Sequence, residues 1–359
     1  MYHPIKESDM MKLAAYQDEL RKNPKLRYLF LELTDRCNLN CMHCGSKCTG
    51  NNSTYLEYSI IEKTLNRVAG KYNSSEIMIC ITGGEPFLHP DIYKIIYLAR
   101  TLGFSVGITS NGTLIGTKQA QMLKQSGLNT ITISIDGIGD VHNSFRCSTY
   151  SFEKAVNGCR NLKNAGIEPQ ALTVVHKNNL FQLEEIFAFL VDEQFYSWRL
   201  VNIDPIGRAA LQNQLLLDGK DLRCLFDFIR DKRFNSDTDM EVTYGCSHFV
   251  TMEYENEIRD FYFQCGAGTM VASIMANGNI GTCLDIERRE DLVQGNIYSD
   301  DFIDVWENKY QIFRTNRSIK SKKCSGCEYS SVCQGDSAHT WDYNKNEPIY
   351  CVARQIMEA

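Results

Sequence analysis

Six short β-rich runs alternating with amphipathic stretches across residues 27–203 predict an α/β protein: a partial (β/α)6 barrel of the TIM type. Two more observations complete the expectation. A polar, charged stretch, RDKRFNSDTD from Arg230 to Asp239, ends the alternation. Beyond it lie Gly-rich turns, short apolar runs and seven cysteines, a pattern that suits a small C-terminal module organised around metal better than one organised around a core. The expected boundaries are an N-terminal extension over 1–26, the barrel over 27–235 and the cysteine-bearing module over 236–359.

The β-rich runs are Arg27–Thr34, Glu76–Thr82, Phe104–Thr109, Thr130–Asp136, Gln170–Val175 and Trp198–Ile203. Between them, Leu56–Ala69 places Ile60, Ile61, Leu65 and Val68 at helical spacing, and Asn179–Val191 does the same with Leu183, Ile186, Phe187 and Leu190. Helical character continues to about Arg230. Strand followed by helix, repeated, reads as βαβ units on a parallel sheet. A closed barrel of this kind has eight units; six leave one side open for another domain to cover. There is no internal repeat and no low-complexity segment.

Composition narrows the function. The chain has 359 residues with 38 Lys and Arg against 44 Asp and Glu, a net charge of −6. That balance argues against a broad nucleic-acid surface. No run of about 18 apolar residues is present, so no membrane span is expected. The first 20 residues lack an apolar stretch followed by a small-residue cleavage site, which predicts a cytoplasmic protein. The anomaly is cysteine: 15 of them, four within residues 37–48 and four within 324–351. In a reducing compartment such clusters read as metal ligands or catalytic groups rather than disulfides.

The first cluster lies in LELTDRCNLNCMHCGSKC, directly after the first strand run. Cys37, Cys41 and Cys44 are spaced Cys-x3-Cys-x2-Cys. In a parallel barrel the loop after a strand lies on the active-site face. Thiolates are soft ligands that favour iron–sulfur clusters, Zn or Cu(I). A four-iron cluster takes four thiolates, so three leave one iron open. Cys48 leaves two alternatives: a fourth ligand, or a set made of Cys41, Cys44 and Cys48.

On these residues the chain resembles the radical S-adenosylmethionine (SAM) enzymes. The Cys-x3-Cys-x2-Cys motif, with His43 before its last cysteine, matches their signature. Ile81–Leu88 reads ITGGEPFL, similar to the family's GGEP turn, which implies that Gly83, Gly84 and Glu85 contact the SAM amino group. Thr109–Gly112 reads TSNG; its Ser110 and Asn111 resemble residues lining the SAM ribose. Ile133–Gly137 reads ISIDG, implying that Ser134 and Asp136 face the ribose side and that Arg146 pairs with the SAM carboxylate. An Arg suits a carboxylate because its planar fork meets two oxygens. Pro205–Ala209, PIGRA, is a further family-like segment. The resemblance implies a SAM-binding [4Fe-4S] cluster on Cys37, Cys41 and Cys44. One electron from that cluster would cleave SAM to a 5′-deoxyadenosyl radical able to abstract hydrogen from an unactivated C–H bond.

The C-terminal cysteines resemble the SPASM domain, an extension that binds up to two auxiliary iron–sulfur clusters. In that pattern Cys324, Cys327, Cys333 and Cys351 fill one cluster; a structural Zn site is the alternative reading of four such thiolates. The other site has Cys265 and Cys283, with Cys246 as third ligand by position. Where the family commonly has a fourth cysteine, this chain has Ser337. That site is then three-coordinate, open, or closed by Asp336, Ser337, a water or the substrate. Cys80, Cys147, Cys159 and Cys224 are expected as buried small apolar residues, with Cys147 also placed near the active-site face.

The resemblance further implies a ribosomally made peptide as substrate, modified by a thioether or carbon–carbon cross-link. The alternatives are a small-molecule oxidoreductase, such as a tetrapyrrole-pathway enzyme, and an anaerobic sulfatase maturase. Implied partners are the precursor peptide and an electron donor such as flavodoxin or ferredoxin. Because only about 26 residues precede the first strand, leader binding falls to the barrel, the SPASM region or a separate leader-binding protein.

Overall fold

A computed structural model describes residues 6–359. Helix α1 (Glu7–Lys22) precedes six βα units. These are β1 (Tyr28–Glu32) with α2 (Tyr58–Lys71), β2 (Met78–Thr82) with α3 (Ile92–Thr101), and β3 (Ser105–Ser110) with α4 (Thr117–Gln125). Then come β4 (Thr130–Ser134) with α5 (Asp140–Arg146) and α6 (Ser151–Asn164), β5 (Pro169–Val175) with α7 (Leu183–Asp192), and β6 (Ser197–Asn202) with α8 (Gly219–Asn235). Strands β1 to β6 pair in parallel and in chain order. The partial (β/α)6 barrel expected from the alternating pattern is therefore present.

Local sequence explains these elements. On α2, Ile61, Leu65 and Val68 recur on one face and are buried, as the 3.6-residue period requires. Helix α8 starts at a capping box in which Asp218 accepts from the backbone of Lys220 and Asp221 while Asp221 caps in return. In β2 the side chains alternate. Ile79 and Ile81 enter the core beneath the helices, and Met78, Cys80 and Thr82 are half-buried on the lumen side. The same alternation runs through the neighbouring strands, so the core forms a shell between barrel and helices.

The region after residue 236 contributes strands to both edges of this sheet. β7 (Glu241–Tyr244) pairs in parallel with β6. β8 (Val271–Ile274) pairs in parallel with β1, and β9 (Asn279–Gly281) and β10 (Gly295–Asn296) extend that edge antiparallel. The result is one ten-stranded sheet in the order β10-β9-β8-β1-β2-β3-β4-β5-β6-β7. An open six-stranded sheet would expose two rows of unpaired backbone groups; the added strands satisfy them. Short helices α9 (Phe302–Asn308), α10 (Ser330–Cys333) and α11 (Val352–Met357) complete the chain. Among the described residues no helix is long and apolar enough to cross a membrane.

The N-terminal helix belongs to the C-terminal half. Met10 on α1 is fully buried among Phe249, Phe263, Val332 and Ala353. Gln17 Nε2 donates to the Phe263 carbonyl at 3.3 Å, and Gln334 Nε2 donates to the Ala14 carbonyl at 3.4 Å. Arg21 also donates to the Gln334 side chain. First and last parts of the chain thus share one small core. Met10→Ala is expected to cost about 2–5 kcal/mol and to make residues 330–359 the first to be cleaved by protease. Unchanged denaturation and cleavage of the iron-loaded protein would show that α1 is not part of this core.

Candidate functional site

The C-terminal ends of the parallel strands converge on the loop that follows β1. This loop closes on itself. Thr34 bridges Tyr55, Arg36 bridges Thr49, and Cys37 N donates to the Thr49 carbonyl at 3.0 Å. Cys37, Leu39, Cys41 and Cys48 are buried in one cluster with Cys44 packed against it. All 15 cysteines are free thiols.

Two neighbouring turns clamp the loop. After β2, Gly84 N donates to the Thr34 carbonyl at 2.7 Å and Glu85 N to the Arg36 carbonyl at 2.9 Å. A Cβ on Gly84 would lie 2.1 Å from the Arg36 oxygen, so only glycine allows this approach. After β6, Arg208 N donates to the Cys44 carbonyl at 3.1 Å, and its side chain to the carbonyls of Cys41 (2.6 Å) and Cys48 (3.1 Å). Gly207, at φ +55°, meets the same constraint: its Cβ would lie 2.3 Å from the Cys44 oxygen. A third support is aromatic. His43 stacks on Phe145 with centroids 4.4 Å apart, and Phe145 stacks on His176 at 3.9 Å. Burial and the nearby Arg146 hold the His43 imidazole well below its usual range, so it is neutral.

The other expected SAM-site residues lie on the same face and bind one another. Glu85 is fully buried. Its Oε1 accepts from Ser110 Oγ at 2.8 Å and its Oε2 from Asn111 N at 3.0 Å. Burial pushes this carboxyl up to about 7 despite those donors. Asn111 Nδ2 donates to Asn38 Oδ1 at 2.9 Å, linking the TSNG turn to the cysteine loop. Ser134 and Asp136 are buried at the end of β4. Arg146 Nε donates to Asp136 Oδ2 at 2.5 Å, and its Nη1 lies 3.7 Å from Cys41 Sγ. Desolvation opposes the Arg146 charge, but Asp136 and Cys41 more than restore it. In this structure Arg146 therefore joins the ISIDG segment to the cysteine loop. Gly83 lies against Thr34 and, with Gly84, forms the turn itself.

The donor set fits an iron–sulfur cluster. Burial pushes Cys37 up to about 12, so a thiolate there needs a cation to neutralise it. The hydrogen bond from Cys48, with Arg208 nearby, lowers Cys44 to about 6. Cys48 thus sits beside Cys44 as its thiol partner. Cys37, Cys41 and Cys44 would hold the cluster. Glu85, Ser110, Asn111, Ser134, Asp136 and Arg146 would surround SAM, for which the cluster supplies the electron. The chain's own part is to exclude water and fix orientation.

The C-terminal cysteines fall into two sites. Cys324, Cys327, Cys333 and Cys351 interact electrostatically in a connected set, Cys327 with Cys324, Cys324 with Cys351, and Cys351 with Cys333. Burial pushes Cys351 up to about 12, which again suits thiolates neutralised by metal. The second set, Cys246, Cys265 and Cys283, surrounds residues that spacing does not reveal. Ligand atoms of Asp204, Cys246, His248 and His339 all lie within 4.8 Å of one another. Cys265 Sγ accepts from Ala338 N at 3.3 Å. Asp204, just after β6, receives His248 Nε2 at 3.0 Å and His339 Nε2 at 2.8 Å. Burial opposes its ionisation, but the two imidazoles hold it well below the usual carboxylate range. Ser337 and Asp336, the expected closing ligands, are engaged elsewhere. Ser337 Oγ donates to the Ser247 carbonyl, and Asp336 accepts from Phe249 N (2.9 Å) and His248 Nδ1 (3.0 Å). Of the four remaining cysteines, Cys159 is buried as expected. Cys80 is half-buried in the lumen, and Cys147 and Cys224 are exposed because their positions, a left-handed helix end and the outer face of α8, carry no core contact.

Family comparisons agree with this geometry. The model described as the Radical SAM superfamily matches residues 31–190, and the SPASM model, an iron-sulfur cluster-binding domain, matches residues 265–328. The AdoMet-dependent heme synthase of Nitratidesulfovibrio vulgaris is 28% identical over 353 residues, 91% of this chain and 92% of that protein. The mycofactocin maturase MftC of Mycobacterium tuberculosis is 30% identical over 315 residues, 85% of this chain and 76% of that protein. A solved structure, native anSMEcpe with bound AdoMet and Cp18Cys peptide, superposes with a TM-score of 0.74 at 21% identity, over 93% of this chain and 95% of that one. The chain belongs to the radical SAM superfamily and carries a C-terminal SPASM domain. It is an enzyme of that class, which binds [4Fe-4S] clusters and SAM.

Two outcomes test the site. Replacing Cys37, Cys41 and Cys44 together by Ala should abolish 5′-deoxyadenosine formation while the C-terminal clusters remain visible spectroscopically; continued reductive SAM cleavage would remove these residues from the role. Arg146→Ala leaves the buried Asp136 without its counter-ion and should cost about 3–5 kcal/mol in denaturation experiments. A change under about 1 kcal/mol would mean that water or another cation already satisfies Asp136.

Proposed function

We propose that this enzyme uses radical SAM chemistry to modify a ribosomally made peptide and that Arg199 receives a carboxylate of that peptide in the barrel lumen. Arg199 on β6 carries the reading. By strand alternation it faces the lumen, since Trp198 and Leu200 on either side enter the outer core. Its guanidinium has no hydrogen-bond acceptor among the described residues; burial lowers its pKa, and the nearby Cys80 only partly offsets this. The same alternation puts the hydroxyls of Thr82, Thr109, Thr132, Ser134 and Thr243 on the lumen face, together with the apolar Phe30, Met78, Cys80, Leu172 and Val174. Such a mixed lining matches peptide amides and side chains, and the Arg199 guanidinium matches one carboxylate.

A porphyrin carboxylate is the second reading. It is favoured by the match to the heme synthase of Nitratidesulfovibrio vulgaris over 92% of its length, against 76% for the mycofactocin maturase. A tetrapyrrole with several carboxylates calls for several free cations. Of the cations near the cysteine loop, Arg146 is committed to Asp136, Arg208 to backbone carbonyls and Arg288 to Glu32 at 2.5 Å, while Arg36 and Lys47 on the loop itself are exposed. This favours the peptide. SAM cleavage in this class consumes one electron, which a flavodoxin or ferredoxin would supply.

The test is anaerobic reconstitution followed by mass spectrometry with SAM, reductant and a short precursor encoded beside the enzyme. A peptide that loses hydrogens supports the reading. Turnover of an iron porphyrin carboxylate with no peptide product would overturn it. Arg199→Gln should leave SAM binding unchanged and lower kcat/KM for the peptide about 10- to 100-fold, the equivalent of roughly 1.5–3 kcal/mol. An equal rate with the variant would show that no carboxylate docks there.

A further inference from the structure

We propose that His339 is a protein ligand of the auxiliary iron–sulfur cluster held by Cys246, Cys265 and Cys283, filling the coordination position that a fourth thiolate would otherwise take. The argument begins with elimination. The position that would carry the fourth cysteine is Ser337, whose hydroxyl is bonded to the Ser247 carbonyl. The neighbouring Asp336 carboxylate is held by Phe249 N and His248 Nδ1, and its backbone carbonyl by Arg317. His248 has no nitrogen to spare, since Nδ1 meets Asp336 and Nε2 meets Asp204. His339 differs. It stands two residues after Ser337, and its imidazole is within hydrogen-bonding reach of the Cys246 and Cys283 thiols and of Asp204. Its backbone turn also brings Ala338 N to Cys265 Sγ. One short segment therefore touches all three thiols of the site.

The chemistry favours nitrogen here. Imidazole suits iron, and histidine is known to replace cysteine on cluster iron. The surroundings are already acidic. Asp204 lies 3.7 Å from Cys246 Sγ, and Asp285 lies 3.9 Å from Cys283 Sγ. A fourth thiolate would add negative charge beside the buried Asp204 and the exposed Asp285, whereas a neutral imidazole adds none. Asp204 then acts as a positioning residue. A carboxylate on the imidazole fixes the ring and raises its basicity, as is usual for metal-bound histidine. Asp204 comes from the end of β6, so the barrel itself orients a ligand of the C-terminal module.

The experiment uses the full-length, anaerobically reconstituted enzyme without SAM, labelled with 15N only in histidine. Pulsed EPR of the reduced clusters should show a nitrogen hyperfine coupling that changes isotope with the label and disappears in His339→Ala. His339→Cys should keep about twelve irons per chain, three four-iron clusters, and move one midpoint potential downward, because a thiolate replaces a neutral ligand. The absence of any histidine coupling in the wild-type enzyme overturns the proposal. So does a coupling that survives in His339→Ala, or an iron content of about eight with the other two clusters intact. The wild-type measurement stands whether or not either variant folds.

Discussion

Everything at the active-site face depends on how tightly the backbone of the cysteine loop is held. Three thiols can share one cluster only if the loop that carries them keeps its shape, and a loop of this length has few internal constraints. Here the constraint is close approach. Gly84 presses on the Arg36 carbonyl and Gly207 on the Cys44 carbonyl, each nearer than any side chain would allow. Arg208 adds hydrogen bonds to the carbonyls of Cys41 and Cys48. Three strands, β1, β2 and β6, therefore meet in a single loop, and the geometry of the thiols becomes a property of the barrel.

The residues that would surround SAM obey the same logic. Glu85, Ser110, Asn111 and Asn38 form one hydrogen-bonded chain across the ends of β2 and β3. Asp136 and Arg146 form a buried pair between β4 and Cys41. Buried polar groups of this kind are costly unless fully partnered, so each fixes its neighbour's orientation. The pocket is preorganised by its own cross-links, and a ligand entering it meets groups already in place.

Barrel and SPASM domain are physically continuous. β7 and β8 extend the two edges of the barrel sheet, and α1 returns to pack against the last third of the chain. The candidate auxiliary site repeats the theme on a smaller scale, with Asp204 from the end of β6 bonded to His248 and His339 from the C-terminal region. An auxiliary cluster held this way cannot shift without moving the end of β6. Its distance to the radical-generating site is then set by the sheet.

Much of this was legible in one dimension, because the relevant signals are local. The six strands follow from period-2 and period-3.6 patterning, and their observed limits lie within a few residues of the runs read from sequence. Cys37, Cys41 and Cys44 occupy eight consecutive residues, and GGEP, TSNG and ISIDG each directly follow or end a strand. Parallel strands force all such segments onto one face. The lumen position of Arg199 was also within reach of the alternation in β6, although its want of a hydrogen-bond acceptor among the described residues was not. What the sequence could not supply depends on contacts between distant segments. β7 and β8 are four residues each and gain their place from pairing with β6 and β1. Ser337 signalled that a thiolate was missing, but the polar side chains that gather around Cys246, namely Asp204, His248 and His339, share no spacing rule. Only the folded chain brings them within 4.8 Å, because long-range packing, and not local propensity, decides which side chains meet.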